Sequence, residues 1–165
     1  MKKVIFSQKE YDLIGTPMEI GKKVQIKSVL AGTFDQKEYQ NEGKYTILSF
    51  FPAIDTSVCD LQISQTDEIA KNYPKFKFIS ISVDLPTTLK VYVEKHNVQN
   101  VQMYSDYKDR SVTKSLGLLI DDLFLAARAV IVLDKENKII YKQMHQSIHE
   151  QIDFKALQMF LDNLE

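Results

Sequence analysis

Residues 44–60 read KYTILSFFPAIDTSVCD. From Tyr45 to Phe51 the run is largely apolar and β-prone, and Pro52 ends it, because proline has no backbone N–H to give to a sheet. A short run of this kind reads as a central strand buried on both faces. From Ser57 the pattern changes. Ser57 and Asp60 match the capping arrangement in which a hydroxyl, and an acid three residues later, satisfy free backbone donors at a helix start. A helix over Ser57 to Asn72 is therefore predicted, with Val58, Leu61, Ile69 and Tyr73 as a patchy apolar face.

The same alternation of strand and helix continues outward. FKFISISVD, Phe76 to Asp84, is a strand that stops at Asp-Leu-Pro, and Leu85 to His96 looks helical. Val101 to Tyr104 is a short strand; Ser111 to Leu116 is a short helix ended by Gly117. ARAVIVLDKENKIIYK predicts a hairpin, with strands Ala127 to Leu133 and Lys138 to Lys142 about a turn at Asp134 to Asn137. Phe154, Leu157, Phe160 and Leu161 mark an amphipathic C-terminal helix. Upstream, KVIF and YDLIG flank a polar turn, Ser7 to Glu10, and suggest an N-terminal hairpin, followed by the extended VQIKSVLAG. The order indicates an α/β sandwich, as a thioredoxin-like fold with an insertion would give: a central mixed β-sheet flanked by helices.

A chain of 165 residues suits one domain, and neither repeat nor linker divides residues 1–165. Its length suffices for a core without a metal or disulfide staple. Apolar residues form 44% and charged residues 26%, with a net charge of −1. That balance argues against general attraction to nucleic acid or to an anionic membrane. No apolar run approaches the roughly 20 residues of a membrane span. The start, MKKVIFSQKE, turns polar at Ser7, too early for a signal-peptide core. A cytoplasmic location is expected, and one cysteine, unable to form an internal disulfide, fits a reducing compartment.

That cysteine is Cys59. Taken alone, a lone intracellular cysteine is most often a packed core residue. Its reactive form is the thiolate, which needs stabilisation. With Ser57 as cap, Cys59 falls in the first helical turn, where unpaired N–H groups and the helix dipole favour negative charge. Thr56 can offer a hydroxyl to the sulfur or to a bound oxygen. Pro52 stiffens the loop, and its ring can cover one side of the sulfur. A fixed cation would complete such a site, and Arg128 is the best candidate: in LAARAVIVLD it begins an apolar strand, and an arginine is rarely buried without a partner.

These residues together resemble a family. FFPAIDTSVCD carries the P-x-x-x-T-x-x-C motif of peroxiredoxins, and PAIDTSVCD, ISVDLP, AARAVIVLD and DFKAL resemble the thiol peroxidase branch in order and separation. The resemblance implies a thioredoxin-like fold, a homodimer, Cys59 as the peroxidatic cysteine, and a pocket of Pro52, Thr56 and Arg128. It implies reduction of hydrogen peroxide or organic hydroperoxides by thiolate attack, with sulfenic acid left on Cys59 and no metal or organic cofactor.

The sequence departs from that branch in two places. The branch usually carries a resolving cysteine on the helix after DLP, and the corresponding position here is approximately Val93, in LKVYVEKH. An external thiol, either a small molecule or a thioredoxin-like protein, must then reduce the sulfenic acid. The persisting sulfenic acid implies easier inactivation by excess peroxide. The branch also often has Ala-Pro where this chain has GKKVQIKSV. Besides a peroxidase, the same site would serve a peroxide sensor or relay that passes oxidation to a partner protein, and a binding module with a fossil site is a third class. His145 and His149, four apart in HQSIHE, lack further metal ligands in sequence, and His96 reads as a helix-end residue.

Overall fold

The structure, a computed structural model, describes residues 3–164; residues 1, 2 and 165, which the one-domain expectation also spans, lie outside that range. Its centre is β5, Thr46–Phe50, taken from the apolar run before Pro52 and buried at every position. It lies between a parallel neighbour, β6 (Lys77–Ser82), and an antiparallel one, β9 (Ala129–Leu133). β7 (Gln102–Ser105) continues the sheet parallel to β6, followed by β3 (Lys27–Leu30) and the edge strand β4 (Gln36–Glu38). β10 (Ile139–Met144) closes the other edge. The sheet order is β10-β9-β5-β6-β7-β3-β4.

Successive strand residues point to opposite faces, so β5 and β6 feed two apolar layers. Leu48, Phe50, Ile79 and Ile81 pack on one face with Val112 and Leu116. Ile47 and Phe78 pack on the other with Ile69, Leu157 and Leu161. Helices α1 (Ser57–Ala70) and α2 (Pro86–His96) join β5 to β6 and β6 to β7, the crossovers that parallel strands require. α3 is Ser111–Ser115, and Gly117 follows it at φ 66°. α4 is Phe154–Asp162; Asp153 caps it by accepting the Ala156 N–H at 3.0 Å. This mixed, helix-flanked sheet is the thioredoxin-like arrangement. Among the described residues, no helix is long and apolar enough to cross a membrane.

The N-terminal hairpin pairs β1 (Lys3–Phe6) with β2 (Lys9–Ile14). Its turn is Ser7-Gln8 alone, at φ 50° and 67°, so Lys9 and Glu10 belong to the strand rather than to the expected turn. Two positive-φ residues give the twist that matches paired strands. Two further strands carry no readable pattern: β4 is three polar residues, and β8 (Leu119–Ile120) is two residues paired with β2. β8 also shortens the next strand. Ala127 N–H donates to Leu118 at 2.7 Å, so residues 126 and 127 are held outside β9, and Arg128 stands just before it.

α1 differs most from expectation. Thr56, not Ser57, occupies the cap position, with no side-chain capping bond. The Ser57–Asp60 capping pair does not form, because the Asp60 carboxylate accepts the Tyr92 hydroxyl of α2 instead. The buried face is Cys59, Gln62, Ile63, Thr66, Ile69 and Ala70. Of the four apolar positions read from sequence, only Ile69 is buried; Leu61 is 48% exposed. Polar Gln62 and Thr66 are tolerated inside because each is hydrogen-bonded.

Candidate active site

The site is built where β5 ends. Phe51 and Pro52 are both buried beyond the strand, and the chain then turns through Ile54 into α1. Asp84, from the ISVDLP stretch, pins this turn: its carboxylate accepts the Ile54 N–H at 3.0 Å and the Ser82 hydroxyl at 2.7 Å. Burial raises the Asp84 carboxyl above its ordinary range, opposed by those two hydrogen bonds.

Thr56 is exposed, and its hydroxyl donates to the Ala53 carbonyl at 2.9 Å. That contact fixes the turn, while the oxygen keeps capacity as an acceptor. Of the two partners expected for this hydroxyl, the sulfur or a bound oxygen, the sulfur is not its partner here, because the Ala53 carbonyl takes the proton. The first-turn N–H groups of α1 receive no side-chain cap. Cys59 sits in that turn, with 0% exposure, inside an apolar cluster of Phe51, Ile54, Ile63, Leu89, Tyr92 and Met103. Val93 packs against the same cluster from α2.

Arg128 reaches this sulfur from just before β9, the strand paired with β5. It is 4% exposed. Both terminal nitrogens, Nη1 and Nη2, donate toward Cys59 Sγ at 3.5 Å. Nη1 also donates to Gln62 Oε1 at 2.7 Å, and Nε donates to the Ile148 carbonyl at 2.9 Å. These partners are a sulfur, an amide oxygen and a carbonyl, none of them a carboxylate. A buried guanidinium is costly unless something opposite balances its charge. Among those partners, only the sulfur can carry a full negative charge.

Sequence reasoning missed two parts of this frame. Gln62, 0% exposed, bridges Arg128 to β5: its Nε2 donates to Ser49 Oγ at 2.6 Å and to the Phe50 carbonyl at 3.0 Å. Its spacing of three residues from Cys59 places both on one helix face, which was the available signal. The Ile148 carbonyl leaves no side-chain signal. It belongs to the loop between β10 and α4, where Gln151 Nε2 also holds the Val58 carbonyl at 3.1 Å. The two histidines of that loop do not converge: His145 faces Glu150 at 3.6 Å, and His149 Nε2 accepts the Ser7 N–H at 3.1 Å.

Outside Cys59, between α1 and α2, lies an open cleft of about 460 Å³ lined by Ile54, Thr56, Ser57, Asp60, Val91 and Tyr92 among others. Ile54 and Tyr92 line this cleft and also belong to the apolar cluster around Cys59.

Comparison with known proteins gives concordant results. The model of the AhpC/TSA family matches residues 20–142. A thiol peroxidase of Staphylococcus saprophyticus is 31% identical over 163 residues, covering 98% of this chain and 97% of that protein. A thiol peroxidase of Bacillus subtilis is 31% identical over 144 residues, covering 87% and 86%. Among solved structures, a peroxiredoxin-like protein from Aquifex aeolicus superposes with a TM-score of 0.92 at 25% identity, covering 100% of this chain and 98% of the other.

Proposed function

The chain belongs to the AhpC/TSA family and is a thiol peroxidase of the peroxiredoxin kind; from that premise we propose that Cys59 is its nucleophile, Arg128 its fixed cation, and an outside thiol its reductant. The observation that carries this reading is the pair of guanidinium N–H groups, each 3.5 Å from Cys59 Sγ in an uncapped first helical turn.

The chemistry follows from that geometry. The Cys59 thiolate attacks the terminal oxygen of a hydroperoxide. An S–O bond forms, the O–O bond breaks, and the departing alkoxide takes a proton to become an alcohol or water. The sulfur is oxidised to sulfenic acid. Arg128 and the first-turn N–H groups stabilise negative charge as it moves from sulfur to oxygen. Thr56 keeps the turn in shape and offers its oxygen as an acceptor for the peroxide proton. Pro52 walls the site and keeps a backbone donor out of it.

With one cysteine in the chain, the sulfenic acid meets no internal thiol. An external thiol condenses with it to a mixed disulfide and water, and a second thiol releases reduced Cys59. The protein works as a homodimer in the cytoplasm, where a free cysteine stays reduced. Exposed Phe34 and Phe124 are apolar surface available to a second copy.

The test is continuous peroxide consumption with a panel of small thiols and redoxins. Sustained turnover is expected with at least one of them, and none in Cys59→Ser. Activity in that variant would exclude the nucleophile; a halt after one equivalent with every thiol would indicate a relay.

A further inference from the structure

A thiolate that attacks a peroxide hands its charge to oxygen. The S–O bond forms, the O–O bond breaks, and the departing oxygen carries the charge until it takes a proton. A hydrogen-bond donor helps that step most when it is held in place beforehand. Arg128 is so held, by Gln62 and by the Ile148 carbonyl. Another donor beside the sulfur is the N–H of Cys59 itself. The Asp60 N–H closes the first turn of α1 by donating to the Thr56 carbonyl at 2.9 Å; the Cys59 N–H comes one residue earlier, and no side chain caps it.

What orients that N–H is the far end of the same amide. The peptide unit is planar and trans, so the Val58 carbonyl and the Cys59 N–H point in opposite directions and turn together. Gln151 holds the carbonyl, its Nε2 donating to Val58 O at 3.1 Å. The Gln151 amide is itself fixed: Oε1 accepts the Ile152 N–H at 3.0 Å, which leaves Nε2 to face the carbonyl. A carbonyl that accepts a hydrogen bond also makes its own N–H a stronger donor. Buried Ile148 and Ile152 anchor this loop on opposite faces of the sheet, in the layer of Leu48 and in that of Ile47. The other side-chain ties near the turn end elsewhere: Tyr92 and His96 at Asp60, Arg128 at the sulfur, and Asp84 at the Ile54 N–H.

Resting on the reading of Cys59 as nucleophile, we propose that Gln151 is a positioning residue for the peroxide step: by gripping the Val58 carbonyl it aims the Cys59 N–H at the peroxide oxygens. The β10–α4 loop thereby supports both kinds of donor, Arg128 through the Ile148 carbonyl and the Cys59 amide through Gln151. Gln151 bonds to the peptide and acts through it. The amide it aims serves the O–O group, which every hydroperoxide shares, so Gln151 sets the rate without selecting among hydroperoxides.

The experiment uses the full chain with Gln151→Glu, Gln151→Met and Gln143→Met. Glutamate keeps an oxygen for the Ile152 N–H and loses the donor to Val58; methionine loses both. Gln143 steadies the same loop, accepting the Asp153 N–H at 2.6 Å and donating to the Asp153 carbonyl at 3.1 Å, and its bonds go there and to Tyr141 rather than to α1. Single-turnover oxidation of Cys59, followed by rapid quench and mass spectrometry, should slow roughly three- to tenfold in both Gln151 variants, the worth of one hydrogen bond. The factor should be the same for hydrogen peroxide and for cumene hydroperoxide. Gln143→Met should oxidise within about twofold of wild type, and alkylation of Cys59 by iodoacetamide should stay within the same range in all three variants, because it builds no charge on a peroxide oxygen. Wild-type oxidation rates in either Gln151 variant would overturn the proposal; in Gln151→Glu alone they would move the role to Ile152. Equal slowing in Gln143→Met would overturn it too, since loop stiffness would then be the cause. So would alkylation that changes in parallel with oxidation, or a slowing confined to one hydroperoxide. A wild-type chain that peroxide fails to oxidise would overturn the peroxidase reading and this role with it; a reactive wild type beside unaffected variants would overturn the role of Gln151 alone.

Discussion

Gln62 carries no charge, yet it helps to fix where the buried Arg128 guanidinium points. It is the side chain that links Arg128 to the central strand, through the Ser49 hydroxyl and the Phe50 carbonyl. Gln62→Leu removes the acceptor of Arg128 Nη1 and strands two further buried polar groups. Folding stability should fall by about 1–3 kcal/mol, read by urea unfolding. The rate constant for the peroxide reaction should fall roughly tenfold, less than the loss of a direct transition-state donor, because Arg128 keeps its bond to Ile148. Stopped-flow oxidation of Cys59 measures it. At this scale the sequence exposes the candidate reacting groups and hides their supports. Cys59 and Arg128 stand out because one is unique and the other interrupts an apolar run. Gln62 resembles any polar residue of a helix, and the Ile148 carbonyl is backbone.

The elements are joined at points where only one residue type fits. Gly15 follows β2 at φ 111°, and a Cβ built there would lie 1.7 Å from the Lys114 carbonyl oxygen of α3. That contact seats the N-terminal hairpin against α3. Gly15→Ala should therefore cost on the order of 2–3 kcal/mol, from the backbone conformation and the clash together, and lower the thermal midpoint in a calorimetric scan. The elements themselves were largely readable. β5 was legible because five residues buried on both faces leave a continuous β-prone run, and α2 because Pro86 opens it and His96 nears its end. The start of α1 was misread by one residue, since Ser57 and Asp60 fit a capping pattern whose acid is drawn to Tyr92 by tertiary packing. β4 and β8 are too short for any period to show, and pairing with distant strands is what defines them.

For the molecule as a whole, the proposed cycle with a single cysteine leaves the oxidised state long-lived. Each sulfenic acid waits for a bimolecular encounter, while excess peroxide can oxidise it further to the sulfinic acid. Mass spectrometry after graded peroxide should find Cys59 sulfinic acid at lower excess than in two-cysteine relatives, with activity lost in proportion. A Cys59 that stays reducible at high excess would contradict this. The order of the longer strands and helices, the candidate nucleophile, its candidate cation and the lack of a second cysteine were all legible in the sequence alone. Adjacent residues encode period, and a unique residue needs no neighbour to be noticed. The complete burial of the sulfur, the bridge through Gln62 and the tie from Tyr92 to Asp60 were decided by the tertiary structure. Each joins residues remote along the chain, and such a contact has no energy until the sheet and its helices pack and exclude water from between them.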